Sequence, residues 1–258
     1  MSDAPIVVEL GGPIAIATLN RPDKRNAMSL TMWRELPAIV HRIAAEPGVR
    51  ALVLRGAGGN FCAGADIAEF ETIYADRASA IRNQTLVQTA TKTLEALPIP
   101  TIAAIEGACV GGGCGLALAC DIRLAAASAR FAITPAKLGL VYGVGDTRRL
   151  VEAVGLSTAK DMLFTGAMLD APQALMCGLI DRLYETDAFP AGVQDFLDDL
   201  TAASGVSAAA TKKILRRIAA GQRDDDDASL ALFADALEAP DFQEGRSAFL
   251  EKRKPRFG

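Results

Sequence analysis

"EGACVGGGCGLALACD", residues 106–121, sets Gly111, Gly112 and Gly113 in a row and Gly115 two positions on, with an apolar run directly behind them. Glycine costs about 1 kcal/mol against alanine inside a helix, so this cluster at the start of an apolar helix requires a reason. Thr101–Ile105 before it and Ile122–Ala126 after it have the length and composition of buried strands. The stretch therefore reads strand, glycine turn, helix, strand, the repeating unit of an α/β core. No Gly-Lys-Ser/Thr follows the glycines, no complete GxGxxG is present, and no acidic ribose partner is evident about 20 residues on, which sets aside both common phosphate-binding fingerprints. What remains is a helix N-terminus offering unpaired backbone N–H groups, a place for negative charge or a polarised oxygen.

The alternation extends outward on both sides. Val7–Leu10 and Ile14–Leu19 read as a hairpin around Gly11-Gly12-Pro13. Leu30–Ala45 has helical periodicity, with Ser29 as N-cap and Pro37 as an expected kink. Ala51–Leu54 is a buried strand leading into the turn-rich "GAGGNFCAGAD", and Ala78–Leu97 is a long helix stopped by Pro98. From Ala188 helical patterns follow one another without a strand. The expectation is an α/β core over residues 1–195 and a helical region over residues 196–258 that builds an oligomer.

With 258 residues, half of them apolar, the chain can bury a large core. Its net charge of -4 gives no general attraction to nucleic acid. The basic run "TKKILRRIAAGQR" carries no aromatic and is followed by "DDDD", which favours a solvated helix face over a nucleic-acid stripe. No window reads as a membrane span, the N-terminus lacks a secretory pattern, and a cytoplasmic location is expected. Five cysteines without a CxxC and a single histidine, His41, argue for buried thiols and against a metal site.

A second loop, "NFCAGADI" at Asn60–Ile67, also follows a buried strand and leads toward a helix. Two N–H groups converging from such loops on one oxygen make an oxyanion hole. "FCAGADI" and "IEGACVGGGCGLALACDIRLAA" together resemble the two signature loops of the crotonase superfamily, the enoyl-CoA hydratase/isomerase family. "LNRPDKRNAMS", "GLIDRLY" and "EGRSAFLEKRKPRF" are similar to it as well, so the likeness spans nearly the whole chain. The resemblance implies a spiral of ββα units, a homotrimer or homohexamer, an acyl-CoA thioester substrate, and no cofactor beyond the coenzyme A of the substrate itself. It puts the oxyanion hole at the N–H groups of Ala65 and Gly112. Lys24, Arg25 and Ala27 would lie by the CoA, and Ala63, Asp66 and Ile67 would help hold adenine and pantetheine.

The departures are as informative. Hydratases of the family carry a glutamate two residues after the glycine triplet, where this chain has Gly115, and a second in F-x-x-P-E-x-x-L-G, where "FAITPAKLG" places Pro135, or Ala136 if the prolines are aligned. Candidate replacements are Asp146, Glu69 and Glu71, with Asp146 equally readable as the N-cap of the helix "TRRLVEAV". "TPAKLGLVY", Thr134–Tyr142, resembles a motif of methylmalonyl-CoA decarboxylases in the same superfamily, with Tyr142 in the position that orients a carboxylate and Thr134 as a second polar contact. Decarboxylation needs an oxyanion hole and a dry pocket but no base, so a decarboxylase-type lyase is the favoured expectation. A hydratase or isomerase with Asp146 as displaced acid/base is the alternative, and a non-catalytic acyl-CoA-binding protein a further one.

Overall fold

The computed structural model describes residues 4–257. The elements run β1 (Ile6–Glu9), β2 (Ile14–Leu19), α1 (Leu30–Ala45), β3 (Ala51–Gly56), α2 (Phe70–Ile73), α3 (Arg77–Ala96), β4 (Thr101–Ile105), β5 (Ala108–Val110), α4 (Gly112–Ala119), β6 (Ile122–Ala126), β7 (Arg130–Ala132), α5 (Val144–Thr165), β8 (Met168–Asp170), α6 (Ala171–Met176) and β9 (Arg182–Tyr184). Four helices then follow in succession: α7 (Phe189–Ala202), α8 (Gly205–Ala219), α9 (Asp227–Glu238) and α10 (Pro240–Leu250).

The larger sheet has the order β1-β2-β3-β4-β6-β9, with β1 antiparallel to β2 and every later pair parallel. Its central strands are buried on both faces, as parallel strands with crossover helices must be. Leu52, Leu54, Ala103 and Ile105 face the main core with α1, α3 and α4, while Ala51, Val53, Ile102 and Ala104 face a second cluster closed by Phe189 and Leu197 of α7. A second sheet, β5-β7-β8, stands beside the first. Its three-residue strands are too short to show a period of two, and the sequence reading passes over them.

Ser29 caps α1 as its hydroxyl accepts from the Met32 N–H, and the helix continues through Pro37 rather than ending there. The expected boundary after residue 195 falls inside α7, whose Phe189 and Leu197 belong to the second core cluster. One side chain of the basic run is not solvated: Lys212 is buried, with Nζ 2.6 Å from the Asp121 carboxylate and donating to the Ile99 carbonyl at 2.9 Å, which ties α8 to the sheet. Phe233, Phe249 and Leu250 on the last helices stand exposed. Among the described residues no helix is long and apolar enough to cross a membrane. His41 is exposed. Four of the five cysteines are buried, and burial pushes the Cys62 thiol up to about 12, so it stays protonated and unreactive.

Candidate functional site

The loop 21–28 builds the first half of the site. Arg25 and Asn26 take left-handed backbone conformations, with φ of 47° and 57°. The buried Asn26 side chain donates to the Ala57 and Asn60 carbonyls and accepts from the Arg21 N–H. The loop is thereby laced along residues 63–66: the Ala63 N–H donates to the Arg25 carbonyl, the Met28 N–H to the Gly64 carbonyl, and the Asp66 N–H to the Met28 carbonyl. This ladder leaves the Ala65 N–H out, pointing away from the pairing strand.

The glycine cluster builds the second half. Gly111, with φ of 52°, turns the chain from β5 into α4, and its own N–H is used by the Ala132 carbonyl. Gly113 is the point of closest approach: a Cβ there would stand 2.3 Å from the Cys62 carbonyl oxygen, so any side chain would push the two loops apart. Gly112 between them opens the helix, and its N–H has no intrahelical partner. A Cβ on Gly112 would stand 3.9 Å from the Gly64 carbonyl carbon, the atom to which the Ala65 nitrogen is bonded. The two N–H groups are therefore neighbours, and among the described residues neither has an acceptor. They form a pair of donors for one external oxygen.

Both donors open into a cavity of about 190 Å³. Trp33, Phe70, Ile73 and Val87 supply apolar wall; Thr134, Pro135 and Tyr142 supply the far side. Phe70 and Tyr74 meet edge to face with ring centroids 5.2 Å apart. The sequence reading missed this helical wall from α1–α3, because apolar residues at helical spacing look the same whether they face a core or a cavity.

The polar end lies over α4. A Cβ on Gly115 would stand 3.0 Å from the Tyr142 hydroxyl and 3.3 Å from Asp146 Oδ1, so those two side chains occupy the space that a glutamate at this position would enter. The Tyr142 hydroxyl donates to the Gly111 carbonyl at 3.1 Å. Burial, together with the neighbouring Asp146, pushes that hydroxyl well above its ordinary value and keeps it neutral. Asp146 is 4 % exposed and lines the cavity. It is not the N-cap of α5, which is Gly143, but stands in the first turn with Oδ1 2.6 Å from an Arg149 nitrogen. Burial raises its carboxyl above the usual aspartate range, only partly offset by that guanidinium. Oδ2 has no hydrogen-bond partner among the described residues. Beside it, the buried Gln84 Nε2 donor lacks an acceptor; it and Asp146 Oδ2 lie 2.1 Å and 3.7 Å from the position a Cβ on Gly143 would take.

The other candidates are placed differently. Glu69 caps α1 by accepting from the Leu30 N–H at 2.7 Å, Glu71 is exposed, and neither lines the cavity. Asp66 is bound to Arg21 at 2.6 Å, and that contact holds its carboxyl below the usual range; the group shapes the loop. Ala63, Ile67 and Thr134 line the cavity. Lys24 and Arg25 are exposed beside the 63–66 loop, and Ala27 is buried.

Comparison with known proteins gives the family and the fold. A family model described as enoyl-CoA hydratase/isomerase matches residues 9–258. A short-chain-enoyl-CoA hydratase of Clostridium acetobutylicum is 32% identical over 257 residues, covering 96% of this chain and 95% of the relative. A crystal structure of an enoyl-CoA hydratase/isomerase family protein from Hyphomonas neptunium has a TM-score of 0.95 at 43% identity, covering 99% of this chain and 98% of that one. An enoyl-CoA hydratase/carnithine racemase structure from Magnetospirillum magneticum gives a TM-score of 0.95 at 36% identity, over 100% and 96% of the two chains.

Proposed function

We propose that this chain, which belongs to the enoyl-CoA hydratase/isomerase family, transfers a proton on an unsaturated acyl-CoA through a single carboxyl, that of Asp146. The observation that carries the reading is the pair of distances over Gly115: Asp146 Oδ1 and Tyr142 Oη stand 3.3 Å and 3.0 Å from where a Cβ would be, so a carboxyl from α5 enters the space left by the missing glutamate. The favoured reaction is migration of the double bond, which a single carboxyl can complete by taking the proton and giving it back. Asp146 takes a proton from carbon 2 of a 3-enoyl thioester, and the electrons of that C–H bond delocalise onto the thioester oxygen. The Ala65 and Gly112 N–H groups hold the resulting dienolate, the proton returns at carbon 4, and no atom is gained or lost. Hydration asks more, since one carboxyl must both activate water and protonate carbon.

Decarboxylation of a malonyl-type thioester is the second reading. The unpartnered Gln84 Nε2 supports it as a donor to a substrate carboxylate, with the Tyr142 hydroxyl a second donor only if it turns from the Gly111 carbonyl. Asp146 in the same cavity weighs against it, because two carboxylates side by side disfavour each other's charge. Turnover of a 3-enoyl-CoA, crotonyl-CoA and methylmalonyl-CoA by wild type and Asp146→Asn separates the readings. The expected result is fastest conversion of the 3-enoyl thioester, falling about 10²–10⁴-fold in the variant. Methylmalonyl-CoA decarboxylation that persists or quickens in Asp146→Asn would establish the second reading, and binding with no turnover of any of the three would leave an acyl-CoA-binding protein.

A further inference from the structure

Asp146 does not own the arginine beside it. Arg149, 6 % exposed, divides its guanidinium: one terminal nitrogen bonds Asp146 Oδ1 at 2.6 Å and the Thr91 hydroxyl at 3.0 Å, and the other bonds Glu95 Oε2 at 2.8 Å. Glu95 is in turn held from outside, with Oε1 accepting from Arg148 at 2.6 Å, and Arg148 also reaches Glu152 at 2.6 Å. Burial alone would push the Glu95 carboxyl up, but the two arginines outweigh it and hold it below the ordinary range, so it is ionised at neutral pH. Glu95 does not line the cavity. It opens instead into a second hollow of about 250 Å³ behind Arg149, which Asp121, Arg123 and Arg216 also line.

We propose that Glu95 is a positioning residue for the proton-transfer step: by sharing the Arg149 guanidinium it keeps that charge from neutralising Asp146 alone, and so leaves Asp146 able to hold a proton at Oδ2, the oxygen without a hydrogen-bond partner among the described residues. This inference rests on Asp146 as the proton-transfer group. The charges that bear on Asp146 are few. From α5 it meets Arg149, from α3 Glu95 through that guanidinium with Thr91 and Gln84 as neutral neighbours, and from α4 and the loop before α5 the neutral Gly115 and Tyr142. Two carboxylates on one guanidinium each receive less of it than either would alone. Glu95 also repels Asp146 directly. Removing the Glu95 charge gives Arg149 to Asp146 and favours the ionised carboxylate. Removing Arg148 instead throws Glu95 wholly onto Arg149 and favours the protonated form.

The sign of these two effects is the test. Carboxyl-carbon NMR of protein labelled at aspartate, with the Asp146 signal assigned by its loss in Asp146→Asn, reads the titration without requiring turnover. In Glu95→Gln the Asp146 midpoint moves to lower pH by about half a unit or more, roughly a threefold change in its ionisation constant. In Arg148→Gln it moves to higher pH, and Glu95→Asp returns it toward wild type. Arg148 is a half-exposed side chain, so the second variant keeps the test decisive should Glu95→Gln fail to fold. An Asp146 midpoint that is unmoved, or that moves the other way, in whichever of these variants folds would overturn the proposal. The acid limb of kcat/KM follows the NMR midpoint if Asp146 carries the proton. A midpoint that moves while the kinetic limb stays would leave the sharing of Arg149 intact and remove Asp146 from the chemistry.

Discussion

The two ends of the first turn of α4 solve different problems. At Gly112 the group proposed to act is a backbone N–H, and everything that places it is also backbone: the turn at Gly111, the contact of Gly113 with Cys62, and the ladder between residues 21–28 and 63–66. At Gly115, one turn on, the groups proposed to act are side chains brought from elsewhere, Tyr142 from the loop before α5 and Asp146 from its first turn, with Arg149 and Glu95 behind them. A backbone donor can come only from the residue at that place in the fold, and its neighbours are held to glycine by contact distance and φ. A carboxyl can arrive from any element within reach, so its position along the chain is free to move. Residues 111–113 keep the glycines that the resemblance calls for, and residue 115 lacks the glutamate.

That contrast can be broken most directly at Gly112. Proline is best tolerated at the first position of a helix, so Gly112→Pro removes the N–H with little harm to α4. Turnover is expected to fall about 10²–10³-fold, the usual cost of one oxyanion donor. Gly112→Ala is its control: it keeps the N–H and puts a Cβ 3.3 Å from Trp33, which asks the ring to shift only slightly. Equal kinetics for the alanine and proline variants would show that the N–H does no chemistry.

The side-chain end is read by pH. The folded Asp146 carboxyl titrates above the ordinary aspartate value of 3.8, because burial outweighs Arg149. Acting as a base, it must be ionised. kcat/KM therefore falls as pH drops through a midpoint above 3.8, about tenfold for each further unit. The same raised value gives the opposite slope in stability: the folded state binds this proton more tightly than the unfolded one, so Asp146 disfavours folding at neutral pH and less so in acid. A rate profile flat from neutral pH down to the ordinary aspartate range, in protein that stays folded, would exclude this carboxyl as the base.

The smallest effect is expected at Gly115. The Cβ of Gly115→Ala meets the ends of two side chains rather than backbone, at 3.0 Å and 3.3 Å, so those groups can yield by a few tenths of an ångström. Better helix propensity offsets part of that crowding, and the melting temperature should change little. The rate should drop about tenfold or less, because Tyr142 and Asp146 are pushed off their places. A rate equal to wild type would mean that neither position matters to within that shift.

How much of this was legible in the residues divides along the same line. Ser29 as the α1 cap, the strands Thr101–Ile105 and Ile122–Ala126, and the stop of α3 before Pro98 are local matters of propensity and pattern, and the structure has them. The likeness of two loops to a family names Ala65 and Gly112 as partners, and the structure brings those loops together. Asp146 was one carboxylate among several, and could equally have been a helix cap. Glu69 has as good a claim in the sequence, but its carboxylate accepts from the Leu30 N–H.

By itself, then, the sequence determined what short-range physics determines: an alternating α/β core, its caps and turns, the glycines that let two loops touch, and the absence of glutamate at residues 115 and 135. Tertiary structure alone decided which carboxyl fills that gap. Asp146 lies 31 positions from Gly115 along the chain, and Glu95 lies 51 positions before Asp146. No periodicity or propensity relates residues at such separations. They meet because α3, α4 and α5 pack on one face of the sheet, and only that packing takes a carboxyl out of water, sets it at the cavity and divides an arginine between two acids.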